Sequence, residues 1–178
     1  MVQYARPDAD TSVGAWAASS GTDRFAMINE SSTDDSDYIH VTDDGGGNSF
    51  PITLSLSSVT DPSNTDPHSV VVRAFVEMTF GEVTLNVNLK DGGSSIKNET
   101  FTVQDSFTNH TMNLSTAQIN SISESGYGNL TLILTSTDDS YSGTLQTQIS
   151  QAYFTCPEAS SSVPIAAIAM NTYRQMRN

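Results

Sequence analysis

The chain has 178 residues, the size of one domain with a sizeable core. Its 7 basic residues against 20 acidic ones, a formal charge of -13, exclude nucleic acid and anionic membranes, which need clustered Lys and Arg. Abundant Ser, Thr, Asn, Asp and Gly with little Lys and Glu describe a β-rich, loop-rich domain rather than a helical one.

Several features narrow the class further. The single cysteine, Cys156, precludes an intrachain disulfide. No apolar run approaches the length of a membrane span. The opening MVQYARPDAD has neither a basic start nor an apolar centre and reads as no signal peptide. Asn-x-Ser/Thr triplets begin at Asn29, Asn98, Asn109, Asn113 and Asn129; in a sequence so rich in these residues they read as coincidence.

In chain order, residues 1–15 are expected to form an extended, poorly paired arm, because Pro7 precedes the polar run Asp8 to Ser12. Trp16 opens a short strand, AWAAS, and Arg24 to Asn29 (RFAMIN) reads as a second. Tyr38 to Val41 and Phe50 to Leu56 follow, the latter alternating Ile52, Leu54 and Leu56. The centre is Val70 to Leu89. Val70, Val72, Ala74, Val76 and Met78 share one parity, and Val83, Leu85, Val87 and Leu89 share another. Period-two β-branched runs are strands with one buried face, and Gly81-Glu82 between them marks a hairpin or a bend.

Asp91-Gly92-Gly93 closes a hairpin, and Glu99 to Val103 and His110 to Leu114 are short strands. Ser115 with Gln118 has capping-box spacing, which places the one internal helix over 115–123, with Ile119 and Ile122 on one face. Asn129 to Thr135 and Gly143 to Phe154 give two more strands, the last with one mixed face. Eight to ten strands at short intervals imply a sandwich.

Beyond Pro157 the composition changes. Val163, Ile165, Ile168 and Met170 form an apolar segment, and Tyr173, Arg174 and Arg177 end the chain. This tail either packs back on the domain or docks on a neighbouring subunit. In the second case its apolar residues supply burial and its arginines pair with acidic surface.

Chemistry is sparse. Trp16 is the only tryptophan; a lone Trp at a strand start anchors a core or, if exposed, stacks on a sugar, with Tyr127 and Tyr141 as loop-borne partners. Asp34, Asp35, Asp37, Asp43 and Asp44 are hard oxygen donors close in sequence, and calcium is the cation they would suit. Their spacing is not that of an EF-hand, and acidic loop runs are usually solvated turns, which is the favoured reading. His40, His68 and His110 lack zinc-ligand spacing, no Gly-x-Ser-x-Gly elbow occurs, and no phosphate loop follows Gly45-Gly46-Gly47. No catalytic residues are expected, and no enzyme.

Several stretches taken in order resemble a domain recurrent in bacteriophage virion structural proteins of tail or capsid surfaces. They are RPDADTSVGAW, RFAMINE, DDSDYIHV, LSSVTDP, NLSTAQINSIS, YGNLTLILT and QISQAYFTCPE, spanning roughly residues 5–158. The resemblance implies a jelly-roll β-sandwich and a place in the virion, and it brings no catalytic motif. The tail past Pro157 departs from it.

The expectation is therefore an all-β, antiparallel jelly-roll β-sandwich with one short helix and extended N- and C-terminal arms. Its divisions are 1–15, 16–156 and 157–178. The expected role is a head decoration or cement-type protein bound to major capsid or tail proteins, homo-oligomeric in the particle and without a cofactor. The alternatives are a tail or neck component and a carbohydrate-binding module for host-surface glycans.

Overall fold

The computed structural model of the protein describes residues 1–44, 46–77, 82–138 and 144–159. Strands run in chain order as β1 (Val2–Ala5), β2 (Pro7–Ser12), β3 (Ala17–Ala18), β4 (Ile39–Asp43), β5 (Ser49–Leu56), β6 (Ser69–Glu77), β7 (Val83–Asp91), β8 (Ser94–Thr102), β9 (Thr108–Asn113), β10 (Leu130–Asp138) and β11 (Leu145–Pro157). One helix, α1 (Thr116–Ile119), lies between β9 and β10. Its Ser115 cap and Gln118 form the expected capping box.

The strands make two antiparallel sheets. Sheet I has the order β3-β4-β11-β6-β9, with β1 also paired to β11, and sheet II the order β2-β5-β10-β7-β8. From β4 onward the pairing is nested: β4 with β11, β5 with β10, β6 with β9, β7 with β8. A ribbon folded on itself in this way and rolled into two layers is a jelly roll. The fold expected from sequence is the fold found.

Burial follows the alternation. Val70, Val72, Ala74 and Val76 face the core from β6, and Val83, Leu85, Val87 and Leu89 face it from β7. The two central strands do not pair with each other, however; β6 belongs to sheet I and β7 to sheet II. Each has one apolar face, and crossing between layers lets those faces cover one another, which an edge-to-edge hairpin would not. The link 78–81, with Met78 and Gly81, lies outside the described residues.

Two local expectations are corrected. Residues 2–12 do run extended, but they are paired, β1 with β11 and β2 with β5, and residues 13–16 make a turn. The segment RFAMIN is not a strand; Phe25–Met27 is a single 3-10 turn. Asp10 decides this, its two carboxylate oxygens accepting the backbone N–H groups of Arg24 and Phe25, each at 2.8 Å.

Strand β11 carries a bulge. Its register against β6 shifts between Ile149 and Gln151, so outward parity passes from Gln146 and Gln148 to Gln151 and Tyr153. Ser150 sits at the shift, fully buried. Among the described residues, Cys156 is the last in the core.

Candidate functional site

Of the residues singled out as sugar platforms, neither described ring is available. Trp16 is 1% exposed, and its indole N–H donates to the Phe50 carbonyl at 3.0 Å. It anchors the edge of sheet II. Tyr127 is 4% exposed, with its hydroxyl 2.8 Å from His68 Nε2. Tyr141 lies outside the described residues, as do Val163, Ile165, Ile168, Met170, Tyr173, Arg174 and Arg177.

The five aspartates do not converge. Asp34 accepts the Ser36 hydroxyl and amide, which hold its carboxyl below the usual range. Asp35 binds Arg73, and Asp43 accepts from Asn48. Asp35 contacts Ser150 of β11, whereas Asp43 pairs opposite Leu145, on the order of 15 Å along the strand. Asp37 and Asp44 lie in loops. Among the described residues no three His, Cys, Asp or Glu side chains are placed to hold a metal ion.

At one end of the roll, a cleft of about 360 Å³ opens beside Thr65, Pro67, His68, Asn113, Leu114 and Ile119. Its histidine is chemically closed: His68 Nδ1 lies 2.6 Å from the Asp66 carbonyl and Nε2 faces the Tyr127 hydroxyl. Burial pushes the Tyr127 phenol up to about 12 and the nearby Cys156 thiol up to about 11. A thiol so raised is a poor nucleophile, and a phenol so raised is a poor proton donor.

The outer face of sheet I is different. His40 of β4, Gln148 of β11 and Phe75 of β6 lie in register across three strands. Their sequence neighbours Ile39, Val41, Ala74 and Val76 are buried, so these three point away from the core. Tyr38 meets His40 edge-on at 5.9 Å, and Phe107, just before β9, packs on Phe75 at 5.2 Å. Two half-buried ring pairs thus stand at either end of a row, with the buried side chain of Gln148, 7% exposed, between them. His40 and Phe75 are two strand spacings apart, about 10 Å. The adjoining row is Thr42, Gln146 and Glu77, and Gln148 donates to Gln146 at 2.7 Å.

The segment 30–37 borders this platform. The Glu30 carbonyl accepts from Arg6 at 3.2 Å and from Gln151 at 3.0 Å, fixing the segment across the bulge. Arg73 Nε–H and Nη2–H donate to Asp35 at 2.8 and 2.6 Å, and Ser150 adds a third bond at 2.7 Å. Those bonds, Arg73's foremost, hold the Asp35 carboxyl below its usual range. Burial, with the charges of Asp37 and Asp34, pushes Glu30 up.

Sequence reasoning missed this face because it looked for scarce residues in loops. A signal existed. In β6 the solvent parity reads Val71, Arg73, Phe75, Glu77, and a phenylalanine at that parity has no core to enter.

No family model matches the sequence, and no curated protein matches it. Among solved structures, the chain is similar to the carbohydrate-binding module TmCBM61 in complex with β-1,4-galactotriose, at 13% identity and a TM-score of 0.41, over 70% of this chain and 73% of that one. It is also similar to a CBM4 structure (7%, 0.43, 79% and 93%) and to the apo form of the BiXyn10A CBM1 (11%, 0.38, 86% and 99%). These are distant likenesses. What the chain can bind has to be read from its own surface.

Proposed function

We propose that the protein is a non-catalytic glycan-binding module whose ligand lies across the outer face of sheet I. The observation that carries this reading is the row running from Tyr38 and His40 through Gln148 to Phe75 and Phe107. Sugars present apolar C–H faces and hydroxyl edges together, and a site for them combines ring faces with a few placed amides. Gln146 and Thr42 extend the polar lining. The charge near the platform is acidic, at Glu77 and along the 30–37 segment, while Arg73 is spent on Asp35. That balance favours neutral glycans over acidic ones.

The test is calorimetric titration of the full chain with neutral oligosaccharides, alongside Phe75→Ala and Phe107→Ala. Each variant is expected to lose about tenfold in affinity, roughly 1.4 kcal/mol. Unchanged affinity in both would remove the face from consideration. Tryptophan fluorescence is a poor reporter here, because Trp16 is buried.

A structural role in a virion is the second reading. It rests on the resemblance of residues 5–158 to virion structural domains and on the apolar segment and closing arginines from Val163 to Arg177 in the sequence. A chain ending at Glu158 that stays folded yet fails to join particles lacking the protein would support it.

A further inference from the structure

The cleft at the end of the roll continues into a second lobe of about 220 Å³ beside Asp61, Ser63, Asn64 and Asn120, and the two lobes share Thr65 and Ile119. Strand β6 starts beside it at Ser69, and Phe75 of the platform stands six residues farther along that strand, about 20 Å away. A compact ligand cannot touch both places.

The walls of the cleft are set by bonds of the fold itself. The His68 carbonyl accepts from Leu114 N–H at 3.0 Å, tying the 57–68 loop to the residue after β9. Within the loop, Asp61 accepts from Ser63 N–H at 2.7 Å, and Asn64 accepts from Asp66 N–H at 3.0 Å while donating to the Pro62 carbonyl at 3.2 Å. Ser115 and Gln118 cap α1 on the other wall. Ser63, with φ +54°, is the one non-glycine residue of positive φ among the described residues. That conformation is costly for a residue with a side chain, persists where the surroundings impose it, and gathers at ligand sites.

The lining combines apolar and polar groups. Leu114 and Ile119 supply buried apolar surface on the core side. Thr65, Asn113, Thr116 and Asn120 supply hydroxyls and amides, and none of these four side chains is hydrogen-bonded to a described residue. Asp61 and Asp66 belong to the loop wall, and Lys97, which donates to the Asn113 carbonyl, is paired with Glu99. An anion would meet carboxylates here and no unpaired cation among the described residues.

We propose that this cleft is a second ligand site, separate from the platform, for one compact, neutral, hydroxyl-rich molecule: a monosaccharide or the terminal residue of a glycan. Preformed walls, an apolar side and a few convergent polar groups are how small-molecule sites are built, and about 360 Å³ lies at the small end of their usual range. The site does not depend on the platform, so either can fail without the other.

The test is amide-shift mapping by NMR on the isotope-labelled full chain, titrated with glucose, galactose, mannose and xylose and with their methyl glycosides. Thr65→Lys and Thr116→Arg fill the cleft from opposite walls at exposed positions, and Phe75→Ala alters the platform alone. Thermal melts establish that each variant is folded. The expected result is saturable shifts over residues 63–68 and 113–120 with at least one sugar, unchanged in Phe75→Ala and about tenfold weaker in both cleft variants. Equal binding of the methyl glycoside would identify a chain end as the ligand, and loss on methylation a free sugar. Cleft shifts that persist in both cleft variants, or that vanish with Phe75→Ala, would be indirect and overturn the inference. Shifts confined to the platform would overturn it too, leaving the glycan-binding reading intact.

Discussion

His68 and Tyr127 meet in the core with 2.8 Å between the imidazole Nε2 and the phenol oxygen. The other ring nitrogen lies 2.6 Å from the Asp66 carbonyl. A neutral imidazole satisfies both contacts, with Nδ1–H donating and Nε2 accepting. Phe154 packs against both rings, so the pair joins the loop 57–68 to the 126–128 turn and to β11.

The first prediction concerns acid. Burial lowers the pKa of His68, and that of His110 as well, from the ordinary value of 6.5. The unfolded chain therefore binds protons that the folded chain refuses. Stability is full above the unfolded pKa and falls as pH drops through and below 6.5. Urea melts at pH 7.5 and 5.5 should show the lower midpoint at the lower pH. In His68→Gln the difference should shrink, leaving the part due to His110. An unchanged difference in that variant would mean that His68 does not carry its share.

Trp16→Phe is predicted to cost about 2–3 kcal/mol, from lost core volume and an unpaired carbonyl. The carbonyl is that of Phe50, to which the indole N–H donates. Chemical denaturation measures the loss. Glycan affinity should not change, since the ring faces the core and not the platform; a parallel loss of affinity would return Trp16 to the binding site.

Gly14→Ala should also destabilise, by about 1–3 kcal/mol. Gly14 has φ +53°, and an added Cβ would stand 2.7 Å from the Pro51 carbonyl oxygen. Both the conformation and the space are against a side chain. The turn it forms, closed by Trp16 N–H donating to the Val13 carbonyl at 3.0 Å, delivers Trp16 to the core. Thermal melts of the two proteins decide the matter.

The legible parts of this fold were those that depend on neighbours in sequence. Alternation in β5, β6 and β7, the Asp91-Gly92-Gly93 hairpin and the Ser115 capping box all follow from local rules. Period two says that one face of β6 is buried, but not which strand lies beside it, and so the separation of β6 from β7 into two layers was hidden. The turn at Phe25–Met27 needs Asp10, distant along the chain and placed only once β2 has joined sheet II. The site was obscured for a related reason. Phe75 carries its signal in its parity, whereas Phe107 and Asp35 become informative only when Arg73 brings them together.

The last prediction tests the charge of the platform. Glu77 lies opposite Gln146, in the row beside His40, Gln148 and Phe75, and it is exposed. On the proposed glycan-binding reading, its carboxylate would repel acidic glycans and be indifferent to neutral ones. Glu77→Lys replaces that repulsion with attraction at the same place. An exposed charge is worth about 1 kcal/mol or less, so binding of polygalacturonate should rise by roughly fivefold in low salt. The gain should fade at high ionic strength, where screening shortens the reach of the charge, while affinity for a neutral galactan stays constant in both salts. Were the substitution to change neutral and acidic binding alike, Glu77 would be touching the ligand rather than setting the field above it.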